Sequence, residues 1–290
     1  MGTDETQSTK AVPLPSEVQV KVLMAGDTHG HLGHCQYLVR TAKKERCDRV
    51  FVLGDFGAWE HTKDGVRFFD QLDLYCNINN IKVYFLDGNH DKTSLLLEKY
   101  REDPDDQGFL KVRPYIRYAP RGHRWTWDEV RFIALGGAYS VDKDYRLDLE
   151  ARYPGKYGGP ETLWFPEEEM SDEDMKVILE DTTPVDVMLA HDKPRGSHPG
   201  WNRKDLLECW PNQDRLQLAV RTLTPTLFMH GHLHYPYRQE MDFSDLDEEL
   251  RNCTVWGLNC DPDAADPSGY DKASSWLVLD TEDVKKGSGI

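Results

Sequence analysis

Three short apolar segments separated by two amphipathic ones dominate residues 18–91 of this 290-residue chain. Residues 18–27, 49–55 and 81–91 are rich in Val, Leu, Ile and Phe and predict β-strands. Residues 31–47 and 65–77 carry apolar side chains at helical spacing and predict helices. The order strand, helix, strand, helix, strand is typical of a layered α/β domain.

The second half of the chain predicts mainly strands. Residues 124–135 predict a hairpin that turns at Asp128-Glu129, and residues 171–181 predict a helix capped by Ser171. Further strand candidates are residues 185–192, 226–241, 253–259 and 274–280. The remaining segment, 140–166, is rich in aromatic residues and glycine and has no clean period. It predicts an irregular insertion, of the kind that either covers a site as a lid or packs on itself as a surface loop.

These elements predict one domain over residues 17–282, preceded by a disordered tail (1–16) and followed by a flexible one (283–290). The first residues are polar, and no apolar run reaches the roughly 18 residues of a membrane span. We therefore expect a cytoplasmic protein without a membrane partner. The net charge of −16 repels polyanions and disfavours a long nucleic acid as substrate.

Five short polar motifs each follow a predicted strand. They are Asp27-Thr28-His29, Gly54-Asp55, Gly88-Asn89-His90-Asp91, Ala190-His191-Asp192 and Gly231-His232-Leu233-His234. Loops at strand ends converge on one crevice in open α/β sheets, so we expect these side chains to meet. The glycines that precede several of them predict sharp backbone turns. Taken singly, each motif also fits an ordinary turn or a buried histidine.

Seven of these side chains are metal-ligand types: Asp27, His29, Asp55, Asn89, His191, His232 and His234. Carboxylate, imidazole and amide donors in this mixture suit transition metals better than Ca²⁺ or Mg²⁺. Seven ligands are too many for one ion and about right for two ions that share a carboxylate. The motifs therefore predict two divalent or mixed-valence metal ions, with Mn²⁺ favoured and iron, zinc, nickel or cobalt as alternatives.

In this order the motifs resemble those of the calcineurin-like metallophosphoesterase superfamily, across roughly residues 18–260. The resemblance implies a β-sandwich of mixed sheets flanked by helices, in four layers α/β/β/α. It implies one metal held by Asp27, His29, Asp55 and His234. It implies a second held by Asp55, Asn89, His191 and His232, with Asp55 bridging. It also implies that water attacks phosphorus directly, and that Asn89 and His90 contact the substrate, with His90 as the catalytic proton donor.

Two departures from the protein Ser/Thr phosphatases bear on the substrate. Gly54-Asp55 is followed by Phe56 instead of the arginine that grips phosphate in those enzymes, and the third motif ends in Asp91 instead of Glu. The first feature disfavours a phosphoprotein substrate, and the second resembles the cyclic-nucleotide and other phosphodiesterase branches. The segment His191-Asp192-Lys193-Pro194 and the short chain resemble the single-domain enzymes of those branches, of bacterial or phage type. We expect a phosphodiesterase for small nucleotides such as cyclic nucleotides. A phosphomonoesterase or nuclease of the superfamily, and a non-catalytic scaffold, are the alternatives.

Overall fold

A computed structural model of the chain describes residues 19–157, 160–197, 206–242, 252–265 and 271–287. In chain order its elements are β1 Lys21–Ala25, α1 Leu32–Lys44, β2 Arg49–Leu53, α2 Lys63–Asn79, β3 Lys82–Leu86, α3 Thr93–Tyr100, β4 Leu110–Arg113, β5 Ile116–Tyr118, β6 Arg124–Trp127, β7 Val130–Leu135, α4 Lys143–Arg152, α5 Pro154–Tyr157, α6 Asp172–Glu180, β8 Val187–Ala190, α7 Trp210–Leu223, β9 Leu227–His230, β10 Tyr237–Met241, β11 Cys253–Gly257, β12 Trp276–Asp280 and α8 Thr281–Lys285.

The strands form two six-stranded mixed sheets. The first has the order β12-β1-β2-β3-β5-β4, and the second has the order β10-β11-β9-β8-β7-β6. In each sheet the four central strands run parallel, and an antiparallel strand pairs with either edge. The carboxyl ends of the parallel strands therefore lie side by side at one end of each sheet, which is where a ligand crevice forms.

Three apolar layers hold the sheets and helices together. Along β2, Val50 and Val52 pack with α1 and α2 on one side, while Phe51 and Leu53 pack between the two sheets. A third layer joins the second sheet to α6 and α7. A strand buried on both faces needs apolar residues on both, which explains the unbroken apolar run of residues 50–53 after Arg49. The predicted four-layer α/β/β/α architecture is confirmed.

Two assignments in the second half of the chain need correction. Residues 226–241 form two strands, β9 and β10, because the chain turns between them at residues 231–236. Helix α7 was not predicted, although Leu216, Val220 and Leu223 give it a buried face at helical spacing. The predicted hairpin turn is confirmed, since Asp128 and Glu129 both have positive φ, as tight hairpins require.

The segment 140–166 is more regular than its sequence suggests. It contains α4 and α5. Helix α4 is charged on nearly every side and is supported by the pairs Arg146–Asp142 and Arg152–Asp148 one turn apart, so it leaves no apolar period to detect.

The predicted tails can be compared with the structure only near the C-terminus. The predicted C-terminal tail starts at 283, yet α8 extends to Lys285, whose Nζ lies 3.1 Å from Asp128 Oδ1. The predicted N-terminal tail, 1–16, and residues 288–290 lie outside the described residues. Within the described ranges, no helix combines the length and apolarity that crossing a membrane requires.

Candidate metal centre

The five motifs follow the carboxyl ends of β1, β2, β3, β8 and β9. The first two are joined through the backbone, because the N–H groups of Thr28 and His29 both donate to the Asp55 carbonyl oxygen, at 3.2 and 2.7 Å. Gly231 N–H donates to the His191 carbonyl in the same way within the second sheet. Neighbouring parallel strands thus bring motifs distant in sequence to one place, as the sequence predicts.

The backbone conformation of the motifs differs from the expectation. Of the glycines that precede motif residues, only Gly54 has positive φ (92°). Gly88 and Gly231 are required by close approach instead, since a Cβ there would overlap the carboxylates of Asp55 and Asp27. Positive φ occurs on the polar side chains themselves, at His29, Asp55, His232 and His234. Non-glycine residues held in this costly region are typical of functional sites.

One group of candidate ligands consists of Asp27, His29 and His234. Asp27 Oδ2 lies 3.0 Å from His234 Nε2 and 3.9 Å from His29 Nε2. The two imidazole rings meet edge to face with centroids 5.0 Å apart. Each residue offers one ligand atom, and these atoms lie within 4.8 Å of one another, close enough to hold one cation.

Asp55 lies between this group and the other candidate ligands. Its Oδ2 is 3.5 Å from His29 Nε2, and its Oδ1 is 3.5 Å from His191 Nε2. Asp27, Asp55 and His191 form another group whose ligand atoms lie within 4.8 Å. Each oxygen of this single buried carboxylate thus faces a different imidazole, which is the arrangement that a bridging ligand needs.

The side chains of Asn89 and His191 face each other with defined orientations. Asn89 Oδ1 lies 3.0 Å from His191 Nε2, and Asn89 Nδ2 donates to Ser140 Oγ at 2.8 Å. His191 Nδ1 lies 2.8 Å from the Leu53 carbonyl oxygen, to which it must donate. The amide oxygen of Asn89 and Nε2 of His191 are therefore the atoms available to a cation.

A third group of close ligand atoms consists of His29, Asp55 and His90. His232 belongs to the cluster but to none of these three groups. Its backbone N–H donates to Asp27 Oδ1 at 2.9 Å, and its ring centroid is 5.0 Å from that of His191. Burial, reinforced by the charge of His191, lowers the pKa of His232 to about 3. Its imidazole is therefore neutral, which is the form that ligates metals.

The two buried carboxylates of the cluster stabilise positive charge on the imidazoles beside them. Burial lowers the pKa of His191, but Asp55 and Asp27 outweigh burial and raise it to about 10. Burial likewise opposes the ionisation of Asp27, but His191 and His234 lower its pKa to about 2. The cluster keeps its carboxylates charged and attracts positive charge, so its residues fit metal cations.

The five motifs all lie within the part of the chain that matches a known family. The family model described as Calcineurin-like phosphoesterase matches residues 20–236. This chain belongs to that family. Its members depend on dinuclear metal centres, which agrees with the overlapping ligand groups of the cluster, two of which contain Asp55.

Individual members of the calcineurin-like phosphoesterase family are only distantly similar. A lariat debranching enzyme of Schizosaccharomyces pombe (strain 972 / ATCC 24843) is 23% identical over 273 residues, covering 87% of this chain. The match covers 54% of that enzyme, so the chain spans about half the length of the curated relative. The crystal structure of TT1561 of Thermus thermophilus superposes with a TM-score of 0.51 at 15% identity, covering 84% of this chain and 90% of that one. At 15% identity, the similarity to TT1561 shows the fold alone.

Asp261 is part of this calcineurin-like centre and was not among the residues predicted from the sequence. Its Oδ2 lies 2.7 Å from Nδ1 of His29. This contact holds the ring so that Nε2 faces Asp27 and Asp55. Asp261 also follows an apolar strand, β11, which is the signal that could have identified it.

Asp91 has a structural role in this family member. Its carboxylate accepts backbone N–H groups from Phe56, Gly57, Ala58 and Gly88, at 2.7–3.0 Å. It thereby fixes the loop after Asp55 against the loop that carries Asn89. Asp91 shapes the centre through these loops.

His90 borders both the metal ligands and the segment 140–166. Its Nε2 lies 3.7 Å from Asp55 Oδ2 and 3.2 Å from both Asn89 Nδ2 and Arg146 Nη2. Burial lowers the pKa of His90 to about 4, with Asp55 opposing the shift and Arg146 adding to it. Two N–H donors that face Nε2 require a lone pair on that atom, so the proton of the neutral ring is on Nδ1.

Proposed function

We propose that this protein is a phosphodiesterase that hydrolyses small nucleotides, cyclic nucleotides among them, at a dinuclear metal centre. The observation that carries the proposal is the convergence of Asp27, Asp55, His29 and His191 on one buried point, with Asn89 beside it. Two buried carboxylates and several imidazoles at strand ends suit cations and, through them, a phosphate ester.

The ligands of each ion are those that the family resemblance implies. Asp27, His29, Asp55 and His234 would hold one ion, and Asp55, Asn89, His191 and His232 would hold the other. Two carboxylates, four imidazoles and one amide suit Mn²⁺ best, with iron, zinc, nickel or cobalt as alternatives. When bound, two such ions neutralise the charge of the phosphate and make water a competent nucleophile near neutral pH.

The chain's own residues orient the substrate in this proposal. Asn89 is fixed by Ser140, and its N–H group lies beside His90 on the side where a phosphate would approach. For either proposed role, donating a hydrogen bond to the phosphate or protonating the leaving oxygen, His90 must first gain a proton on Nε2, which a bound phosphate anion favours. The two roles differ in how the rate depends on the leaving group, because only a poor leaving group needs a proton.

Several features support a small diester over a phosphoprotein. The loop after Asp55 has no arginine, and its backbone amides are bonded to Asp91. The segment 140–166 lies against the centre, because the carbonyl oxygen of Glu161 accepts from Lys92 Nζ at 2.9 Å, directly after the third motif. Tyr145 and Tyr153 on this segment are exposed and could stack on a base. Both observations favour a partial lid over a nucleotide.

One comparison favours a second candidate function. The curated relative is named for debranching a lariat, so we also consider hydrolysis of the diester at the branch point of a lariat. Such a substrate uses the same metal chemistry as a cyclic nucleotide. The net charge of −16 disfavours contacts with a long nucleic acid beyond the branch point.

The test starts with the class of ester. Metal-free protein is reconstituted with Mn²⁺, Fe²⁺, Zn²⁺, Ni²⁺ or Co²⁺ and assayed on bis-(p-nitrophenyl) phosphate and p-nitrophenyl phosphate. We expect no hydrolysis without metal, best recovery with Mn²⁺, and preference for the diester. Preference for the monoester would indicate a phosphomonoesterase. Inactivity with every metal and both esters would indicate a scaffold.

A second panel identifies the substrate. It compares 2′,3′- and 3′,5′-cyclic nucleotides, a 2′,5′-linked dinucleotide, a branched oligonucleotide and duplex DNA, with Asp55→Asn as the control for contaminating enzymes. The proposal predicts that a cyclic nucleotide gives the highest kcat/KM. A branched oligonucleotide in first place would establish the second candidate, and duplex DNA in first place would establish a nuclease.

A further inference from the structure

We propose that Arg146, carried by α4 in the segment 140–166, binds the substrate phosphate beside the metal centre. The proposal rests on the phosphoesterase function above and adds to it a cationic residue that the motifs do not contain. It identifies the ligand of this subsite as a non-bridging phosphate oxygen.

The guanidinium of Arg146 is fixed on two sides and directed toward the centre on the third. Its Nε donates to Asp142 Oδ2 at 2.7 Å, and its Nη1 donates to the Leu163 carbonyl oxygen at 2.8 Å. Its Nη2 lies 3.2 Å from His90 Nε2. The side chain is 24% exposed, so the group is partly buried yet open to a ligand.

The contact with His90 places this charge at the edge of the ligand cluster. His90 Nε2 is itself 3.7 Å from the carboxylate of Asp55. A phosphate held at the centre would therefore approach both Asp55-bound cations and the guanidinium. A phosphate oxygen carries negative charge and can form a bidentate ion pair with a guanidinium, whereas an imidazole nitrogen offers a single uncharged acceptor atom. Arg146 can exchange the imidazole nitrogen for the phosphate oxygen.

Two other cations near the segment have partners of their own. Lys143 Nζ lies 4.3 Å from the centroid of the Trp164 ring, and Lys92 Nζ donates to the Glu161 carbonyl oxygen. Residues 56–58 of the loop after Asp55 contain no cationic side chain, and their backbone N–H groups donate to Asp91. Arg146 is thus placed to contribute the guanidinium that this loop does not contain, and arginine suits phosphate through its planar set of N–H donors.

A purely structural role for Arg146 makes different predictions. Arg146 also holds the chain at Leu163, but Glu150 holds the same stretch more extensively. Its carboxylate accepts the backbone N–H groups of residues 161–164, at 2.6–3.2 Å. Loosening this stretch through Glu150 therefore imitates the structural consequence of losing Arg146 and leaves the guanidinium in place.

The experiment compares Arg146→Gln with two controls. Arg152→Gln removes the same charge from the same helix at a side chain that is 67% exposed and paired with Asp148. Glu150→Ala loosens residues 161–164. Inorganic phosphate is titrated calorimetrically into each Mn²⁺-loaded protein, metal content is measured, and kcat and KM are obtained for bis-(p-nitrophenyl) phosphate.

We expect Arg146→Gln to weaken phosphate binding by roughly 10- to 100-fold, as for loss of a hydrogen bond to a charged group, and to raise KM while metal content stays at the wild-type level. Arg146→Lys should recover part of the loss. Both controls should stay within about twofold of wild type, since neither touches the ligand. Equal phosphate affinity in Arg146→Gln and Arg152→Gln, or an equal loss in Glu150→Ala, would overturn the proposal. If the wild type hydrolyses no ester, the proposed function fails, and the phosphate titrations still decide the role of Arg146.

Discussion

Oδ2 of Asp261 lies 2.7 Å from Nδ1 of His29, although the two residues are 232 positions apart in the chain. The carboxylate is almost fully buried, and its hydrogen bond fixes which nitrogen of His29 faces Asp27 and Asp55. Contacts of this kind orient metal-binding imidazoles and raise their basicity. Asp261 is thus a positioning residue of the centre.

Asp261→Asn should lower metal affinity by about 10- to 100-fold, as is usual when an outer partner of a ligand is changed. Asp263→Asn is the matched control, because its side chain is 80% exposed and contacts His31. Competition with a chelator measures both affinities. Equal affinities in the two variants would show that Asp261 does not support His29.

Asp55→Asn should be more damaging than Asp27→Asn, although both remove one buried carboxylate charge. Asp55 faces the imidazoles of His29 and His191, whereas Asp27 faces those of His29 and His234. We expect loss of both ions in Asp55→Asn and a kcat/KM at least about tenfold below that of Asp27→Asn, equivalent to about 1.4 kcal/mol. Retention of both metals by Asp55→Asn, measured by elemental analysis, would show that Asp55 does not bridge.

His90→Ala should keep its metal content and lose turnover by roughly 10²- to 10⁴-fold if His90 is a general acid. The loss should shrink for diesters with acidic leaving groups, which depart without a proton. A series of substituted phenyl diesters measures this dependence. A loss that is uniform across the series would assign His90 to hydrogen bonding with the phosphate.

Ser140→Ala should weaken metal binding through Asn89. The hydroxyl of Ser140 accepts from Asn89 Nδ2 and so keeps Oδ1 directed at His191. Without it the amide can turn its N–H group toward the cation, and we expect about a tenfold loss of affinity for one of the two ions. Ser140→Thr keeps a hydroxyl and should lose less. Stepwise metal titration would contradict the assignment if both ions bind Ser140→Ala as tightly as wild type.

Metal binding should release protons near neutral pH. In the metal-free protein, burial opposes protonation of His191 and His29. The surrounding carboxylates outweigh burial, so the pKa of His191 is raised to about 10 and that of His29 well above its ordinary value. Both rings are therefore protonated near neutral pH, and a cation must displace about two protons to reach their lone pairs. Affinity for Mn²⁺ should rise with pH, by about tenfold per unit for each displaced proton. Calorimetry in buffers of different ionisation enthalpy counts these protons, and a count near zero would contradict the expectation.

The fold class and the candidate ligands could be predicted from the sequence because both depend on local patterns. Strand β2 is apolar from Val50 to Leu53 because both of its faces are buried there, and Asp55 follows where that strand ends. Parallel strands place their carboxyl ends at one edge, so polar residues after several strands must come together. Helix α7 carries a readable pattern of the same kind, because its buried residues recur at helical spacing.

The remaining features depend on contacts between distant segments. The sequence by itself determined the alternating strands and helices and the polar residues at strand ends, because each of these follows from neighbouring side chains. Only the tertiary structure decided that Asp261 orients His29, that Ser140 turns Asn89, and that Arg146 reaches His90. Each of these pairs is brought together by the packing of whole helices and strands. The packing energy is shared among many residues, so the segments that carry the paired residues show no periodic signal in the sequence.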